Sequence, residues 1–109
     1  MADGRAGYAG LDRETVFPAR DGRVLQGRLF TPRDPAAVMV VNPATGYPAR
    51  FYAAFAEAAR EQGWAVLIYD YRGQGESLRD HPRRDPARMI DWALEDIPAA
   101  ARKACALYP

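Results

Sequence analysis

Three charged side chains, two glycines and two hydroxyls fall within the eight residues Asp70-Tyr71-Arg72-Gly73-Gln74-Gly75-Glu76-Ser77. They directly follow Trp64-Ala65-Val66-Leu67-Ile68-Tyr69, an apolar run that suits a strand buried on both faces. In open α/β sheets, ligands and catalytic groups gather at such C-terminal strand ends. Gly73 and Gly75 permit positive φ and a sharp turn. Asp70 and Arg72 can hold the loop through charge-assisted hydrogen bonds, and Ser77 can cap a short following helix.

Other combinations are weaker. Ser77 and His81 stand four apart with Asp80 between them, the makings of a miniature triad. A nucleophile needs an ordered base and an oxyanion site on its own side. His81 instead precedes Pro82 in a polar stretch and is expected to be solvated. Cys105 lies off the apolar stripe of its helix, and no spacing brings His81 to it. Gly73-Gln74-Gly75 could open a dinucleotide-binding turn, but the third glycine position holds Leu78, and no phosphate-loop lysine motif occurs. With one cysteine and one histidine, neither a zinc site nor an internal disulfide framework is expected. No cofactor is expected.

The elements around the loop set the frame. A chain of 109 residues makes one domain at most, and 49% hydrophobic with 27% charged residues is a globular composition. Fifteen basic and fourteen acidic residues give a net charge of +1, which provides no footprint for nucleic acid or an anionic membrane. Arg72, Arg79, Arg83, Arg84 and Arg88 alternate with Asp70, Glu76, Asp80 and Asp85, the pattern of a solvated face. Residues 1–12 read as a flexible leader without a signal peptide's apolar core. No apolar run approaches the roughly 20 residues that span a bilayer, so a soluble cytoplasmic chain is expected.

Residues 13–109 carry the domain. A strand around Thr15–Phe17, the turn dipeptide Asp21-Gly22 and the alternating run Arg23–Phe30 predict an edge hairpin. Ala37–Val41 is continuously apolar, as befits an inner parallel strand. Asn42-Pro43-Ala44-Thr45-Gly46-Tyr47-Pro48 ends it in a turn-prone loop. A helix follows, with Phe51, Phe55, Ala58 and Ala59 on its apolar face, and Gly63 closes it. The last helix begins near Met89 and places Ile90, Ala93, Leu94, Ile97, Ala101, Ala104 and Tyr108 at helical spacing. Asp91, Glu95 and Asp96 fall early, where the helix dipole favours acids. Pro98 predicts a kink or restart near Asp96. The fold class is α/β: a short antiparallel hairpin, then parallel strands with flanking helices.

A strand followed by Asp-x-Arg-Gly-x-Gly-x-Ser resembles the loop after the fourth strand of α/β-hydrolases, in the esterase, lipase and serine-aminopeptidase-like branch. Arg50-Phe51-Tyr52 at the first helix, Gly63-Trp64-Ala65-Val66 at the next strand and Asp91-Trp92 at the second helix agree in order and spacing. The resemblance covers about residues 14–109 and is closest to hydrolases with an Ala-Thr-Gly segment after the third strand. It implies a serine hydrolase acting on a small-molecule ester or amide by acyl transfer, with a Gly-x-Ser-x-Gly nucleophile and a His/Asp pair. Those groups follow the second helix in the family, and no Gly-x-Ser-x-Gly occurs in these 109 residues. No catalytic residue can therefore be carried over. The resemblance does assign an oxyanion-hole N–H to the loop after the third strand, at Ala44 or Thr45, and lets Tyr47 line the acyl pocket. Pro43 has no N–H to offer. Asp70, Arg72, Gly73, Gly75 and Ser77 take structural roles.

The chain is thus expected to be an N-terminal portion of the hydrolase fold with an incomplete sheet, inactive alone. The other possibility is a non-catalytic fragment or interaction module. The resemblance orders the strands first, second, fourth, third, which leaves 37–41 at an edge where self-association is expected.

Overall fold

The computed structural model describes residues 12–79, 81 and 84–108. Of the expected leader, residues 1–11 lie outside the described residues, and Asp12 already belongs to the first strand. Strand β1 (Asp12–Pro18) pairs antiparallel with β2 (Val24–Phe30) from Asp12 opposite Phe30 to Pro18 opposite Val24. The connecting turn is closed by Ala19 N–H to the Arg23 carbonyl at 2.8 Å, with Asp21 Oδ1 accepting from the Arg23 amide.

Strand β3 (Ala37–Val41) leads through a loop and a 3-10 turn (Ala49–Tyr52) into α1 (Ala53–Glu61), which returns the chain to β4 (Trp64–Tyr69). The order is β1-β2-β4-β3, with β2 and β4 antiparallel and β3 and β4 parallel. Beyond β4 come a 3-10 turn (Gly75–Ser77), a short α2 (Met89–Asp91), a π-helical segment (Trp92–Asp96) and α3 (Ile97–Leu107).

Strand β4 organises both layers, because side chains alternate across a sheet. Val66 and Ile68 join Phe30, Ala49 and Ala56 under α1, while Leu67 and Tyr69 join Phe17, Leu25, Leu29, Trp92 and Ala100 under α3. Residues Ala65 to Tyr69 are fully buried. Burial of a side chain such as Leu67 stabilises by about 1.5–3 kcal/mol. Strand β3, in contrast, has only β4 beside it among the described strands, and Val38 to Val41 are only half-buried.

Both helices expose residues that their periodicity assigns to the core. Phe51 and Phe55 are 63% and 52% exposed, and α1 is anchored by Ala56, with Tyr52, Ala53 and Ala59 beside it. Small residues permit the close helix–sheet approach, and the bulky rings are left at the rim. In the last helix Ile90 and Leu94 are exposed, whereas Trp92, Asp96, Ala99, Ala100 and Ala104 face inward. The π-helical segment explains the rotation. Pro98 lacks an N–H and its ring would crowd the Leu94 carbonyl in a regular α-helix. The ladder widens just before it, with the Ile97 N–H reaching the Trp92 carbonyl, which shifts the phase of the inward face. The break expected near Asp96 is this segment.

Candidate active site

The loop after β4 is held from three directions. The Asp70 carboxylate, 2% exposed, accepts from the Ala49 amide at 2.7 Å and from the Glu76 amide at 3.0 Å. It therefore ties the loop after β3 to the loop after β4. The Ser77 hydroxyl donates to the Asp70 carbonyl at 2.6 Å and accepts from the Gln26 amide at 2.9 Å. It extends the β2–β4 pairing past the end of the ladder. The expected cap on a following helix is not formed, since Ser77 lies inside the turn Gly75–Ser77 and the next described helix, α2, has Arg88 at its N-cap. Gly75 has φ +46°, and a Cβ there would lie 2.6 Å from the Asp70 carboxylate. Only glycine lets the backbone wrap the carboxylate this closely. Gly73 also has positive φ, with the Ala87 side chain packed against it.

Arg72 is nearly buried and has two acidic partners. Its amide and Nε donate to the two oxygens of Asp96 at 2.7 and 2.8 Å, and its terminal nitrogens form a fork on Asp21 at 2.6 and 3.0 Å. Its carbonyl accepts from the Trp92 indole at 3.0 Å, and Tyr71 stacks on that indole at 4.6 Å. Thus β4's loop, the hairpin turn and the π-helical segment meet on one guanidinium. Arg72 holds Asp21 down at about 2. Burial pushes Asp96 above the ordinary carboxylate range, against the pull of the two Arg72 N–H donors.

A second fork joins Arg23 to Asp85 at 3.0 and 2.5 Å. Arg23 also donates to the Ser77 carbonyl, while Asp85 accepts from the Arg79 and Ala87 amides. The Arg23 fork holds Asp85 at about 2.

The solvated-face expectation is accordingly corrected for Asp70, Arg72 and Asp85, which lie in the packed network; Arg79, Arg84, Arg88 and Glu76 are exposed as expected. Arg83 and Asp80 lie outside the described residues. Asp70 and Arg72 both brace the loop, each with separate partners. Asp96 escaped the sequence reading, where it passed for a dipole-favoured surface acid. Its spacing of four from Trp92 was the available signal, since the two share a helix face.

The loop after β3 lies at the C-terminal end of that parallel strand. Asn42 Oδ1 accepts from the Tyr69 hydroxyl at 2.5 Å, and burial raises the Tyr69 phenol well above its ordinary pKa. Tyr47 N–H donates to the Ala44 carbonyl at 3.0 Å, which closes a turn with Gly46 at φ +85°. That left-handed position is one a β-carbon would disfavour. The Ala44 amide donates to the Tyr52 hydroxyl at 2.8 Å, and the Thr45 amide has no partner among the described residues. Tyr47 is half exposed and lies against Phe51 at 4.8 Å. Ala44 and Thr45 are thus brought together with Tyr47 and Tyr52 at the strand end.

The other groups do not assemble into chemistry. Both faces of the Ser77 hydroxyl are engaged, and His81 is exposed. Cys105 is exposed on α3. Among the described residues no cluster of acids, His or Cys could hold a metal, and no helix is long and apolar enough to cross a membrane.

Solved structures share part of this fold. The α/β-hydrolase GrgF from Penicillium sp. sh18 superposes with a TM-score of 0.55 at 28% identity, over 58% of this chain and 22% of that one. The chain holds part of an α/β-hydrolase fold. The structure of DcsB in complex with its substrate analogue agrees, with a TM-score of 0.51 at 25% identity over 60% of this chain and 23% of that one. Among curated proteins, the thiohydrolase apmlB of Arthrinium phaeospermum is 27% identical over 92% of this chain. The chain spans about 40% of that relative's length. No family model matches it.

Proposed function

We propose that the chain is the N-terminal segment of a serine hydrolase that cleaves esters or amides by acyl transfer. The Asn42–Tyr47 loop supplies half of an oxyanion hole. The nucleophile, histidine and acid come from a further segment, in the same polypeptide or in trans, so the 109 residues are inactive alone. The carrying observation is the Thr45 amide, without a partner among the described residues, beside Ala44 on a turn fixed by Asn42 and Gly46 at the C-terminal end of β3. Preorganised amides at such a position stabilise the charge that develops on a carbonyl oxygen. The likeness to a thiohydrolase adds thioesters to the substrates worth trying.

A fluorophosphonate probe tests this. The chain alone is expected to remain unlabelled, and adding a C-terminal hydrolase segment with Gly-x-Ser-x-Gly is expected to restore labelling on that segment. Labelling of these 109 residues by themselves, or none after complementation, refutes the assignment.

A second possibility is a non-catalytic interaction module. It is favoured by β3, an apolar strand with a neighbour on one side only among the described strands. Such an edge pairs readily with another strand, including that of a second copy.

A further inference from the structure

Tyr52 is not assigned any role by the family resemblance, yet its hydroxyl meets the loop that is. It accepts from the Ala44 amide at 2.8 Å, in a bond that is open to solvent. A phenol carries one proton and two acceptor sites. The amide fills one acceptor site, and the proton has no acceptor among the described residues. A hydroxyl that already accepts a hydrogen bond is a stronger donor, because linked hydrogen bonds polarise one another.

The ring is also fixed in place. It packs against the cluster of Phe30, Ala49, Ala56, Val66 and Ile68, and it meets the Phe51 ring edge-on at 5.3 Å. The Tyr71 phenol is near enough that Tyr52 contributes to raising its pKa, after burial. Tyr47 and Phe51, 50% and 63% exposed, stand beside the loop as an aromatic wall.

We propose that the Tyr52 hydroxyl, oriented by the Ala44 amide, is a side-chain donor to the substrate's carbonyl oxygen, working with the Thr45 amide. Resting on the acyl-transfer assignment, this replaces a direct Ala44 contact by a relayed one: Ala44 N–H to Tyr52 oxygen, Tyr52 proton to substrate oxygen. The aromatic wall then suits a neutral acyl compound whose group next to the carbonyl is apolar. No bond is made or broken at Tyr52; it stabilises the oxyanion while the nucleophile attacks.

The test uses the complemented hydrolase with p-nitrophenyl butyrate. Tyr52→Phe keeps the ring and removes one oxygen, so unchanged far-UV circular dichroism and melting are expected. The kcat is expected to fall roughly 100-fold with KM little changed, the usual cost of losing one oxyanion donor. Fluorophosphonate labelling is expected to slow in parallel. A kcat that is unchanged or raised overturns the proposal, because Tyr52 then merely covers the Ala44 amide. A trifluorotyrosine at 52 gives a second readout independent of folding. Its more acidic phenol is expected to move the alkaline limb of the pH–kcat profile to lower pH, and an unmoved limb also overturns the proposal. Active wild type with an unaffected Tyr52→Phe variant sinks the Tyr52 role alone, whereas wild type without labelling or turnover sinks the acyl-transfer assignment and Tyr52's role with it.

Discussion

Replacing Asp96 by asparagine is expected to be among the most damaging single-atom changes in the chain. Asp96 is fully buried, and both carboxylate oxygens accept from Arg72, at 2.7 Å from the amide and 2.8 Å from Nε. Asparagine keeps one acceptor and turns the other into a donor facing an N–H. One buried donor on Arg72 is then left without a partner, at about 1–3 kcal/mol. Loss of charge opposite a buried guanidinium adds to that; breaking a buried pair outright costs about 3–5 kcal/mol. Arg72 still has Asp21 on its far side, and that carboxylate is exposed enough to be hydrated, so the lower part of this range applies. The net expectation is about 3 kcal/mol, a large part of the stability a small domain has. Urea unfolding followed by tryptophan fluorescence reads it directly, since the Trp92 indole donates to the Arg72 carbonyl. The same experiment on Arg72→Met with Asp96→Leu should recover only part of the loss, because the two charges leave together but the buried amide of residue 72 still loses the Asp96 oxygen it donates to. A loss below about 0.5 kcal/mol for Asp96→Asn, within the range of an ordinary surface change, would refute the account of Arg72 as the junction of three segments.

Four further outcomes follow, three from the loop network and one from the β3 edge. Gly75→Ala should cost about 2 kcal/mol or more by chemical denaturation, from the positive φ and the 2.6 Å approach of its Cβ to Asp70. Ser77→Ala should cost about 1–3 kcal/mol, because the Gln26 amide and the Asp70 carbonyl both lose their partner. Asp85 titrates near 2 when folded against an ordinary 3.8, so its pairing with Arg23 stabilises fully above pH 4 by about 2 kcal/mol and fades as pH falls from about 4 to 2. In Asp85→Asn that part of the acid sensitivity should vanish from urea titrations across the window, and an unchanged pH slope would contradict it. Finally, Val38→Lys on the half-buried β3 edge should lower any self-association seen by gel filtration.

Most of the frame was readable because β3 and β4 are written in unbroken apolar runs and their loops in Gly, Pro and Asp. Ala37–Val41 and Trp64–Tyr69 are strands at the expected bounds, and the Asp21-Gly22 turn joins the expected hairpin. The helix faces were misread for two separate physical reasons. Around α1, small alanines seat the helix while Phe51 and Phe55 remain outside, a packing choice that hydrophobicity alone does not encode. Around Pro98, a widened turn moves the register, so a 3.6-residue count drawn across it points at the wrong side chains. The same shift concealed Asp96, whose burial depends on Arg72 arriving from 24 residues away. Of the loop at Asn42–Tyr47, its place after a strand was legible, but the Tyr52 hydroxyl on the Ala44 amide was not. That contact needs the helix to start within one turn of the loop.

The single carboxylate of Asp70 has a further consequence. By gripping Ala49 on one side and Glu76 on the other, it makes the two connections behave as one mechanical part. Their amides should therefore exchange with deuterium together, opening in a shared fluctuation rather than one at a time. Insertions between 70 and 76 would stretch this clasp, whereas substitutions that keep the spacing would leave it intact. Here tolerance to change is governed by segment length more than by composition.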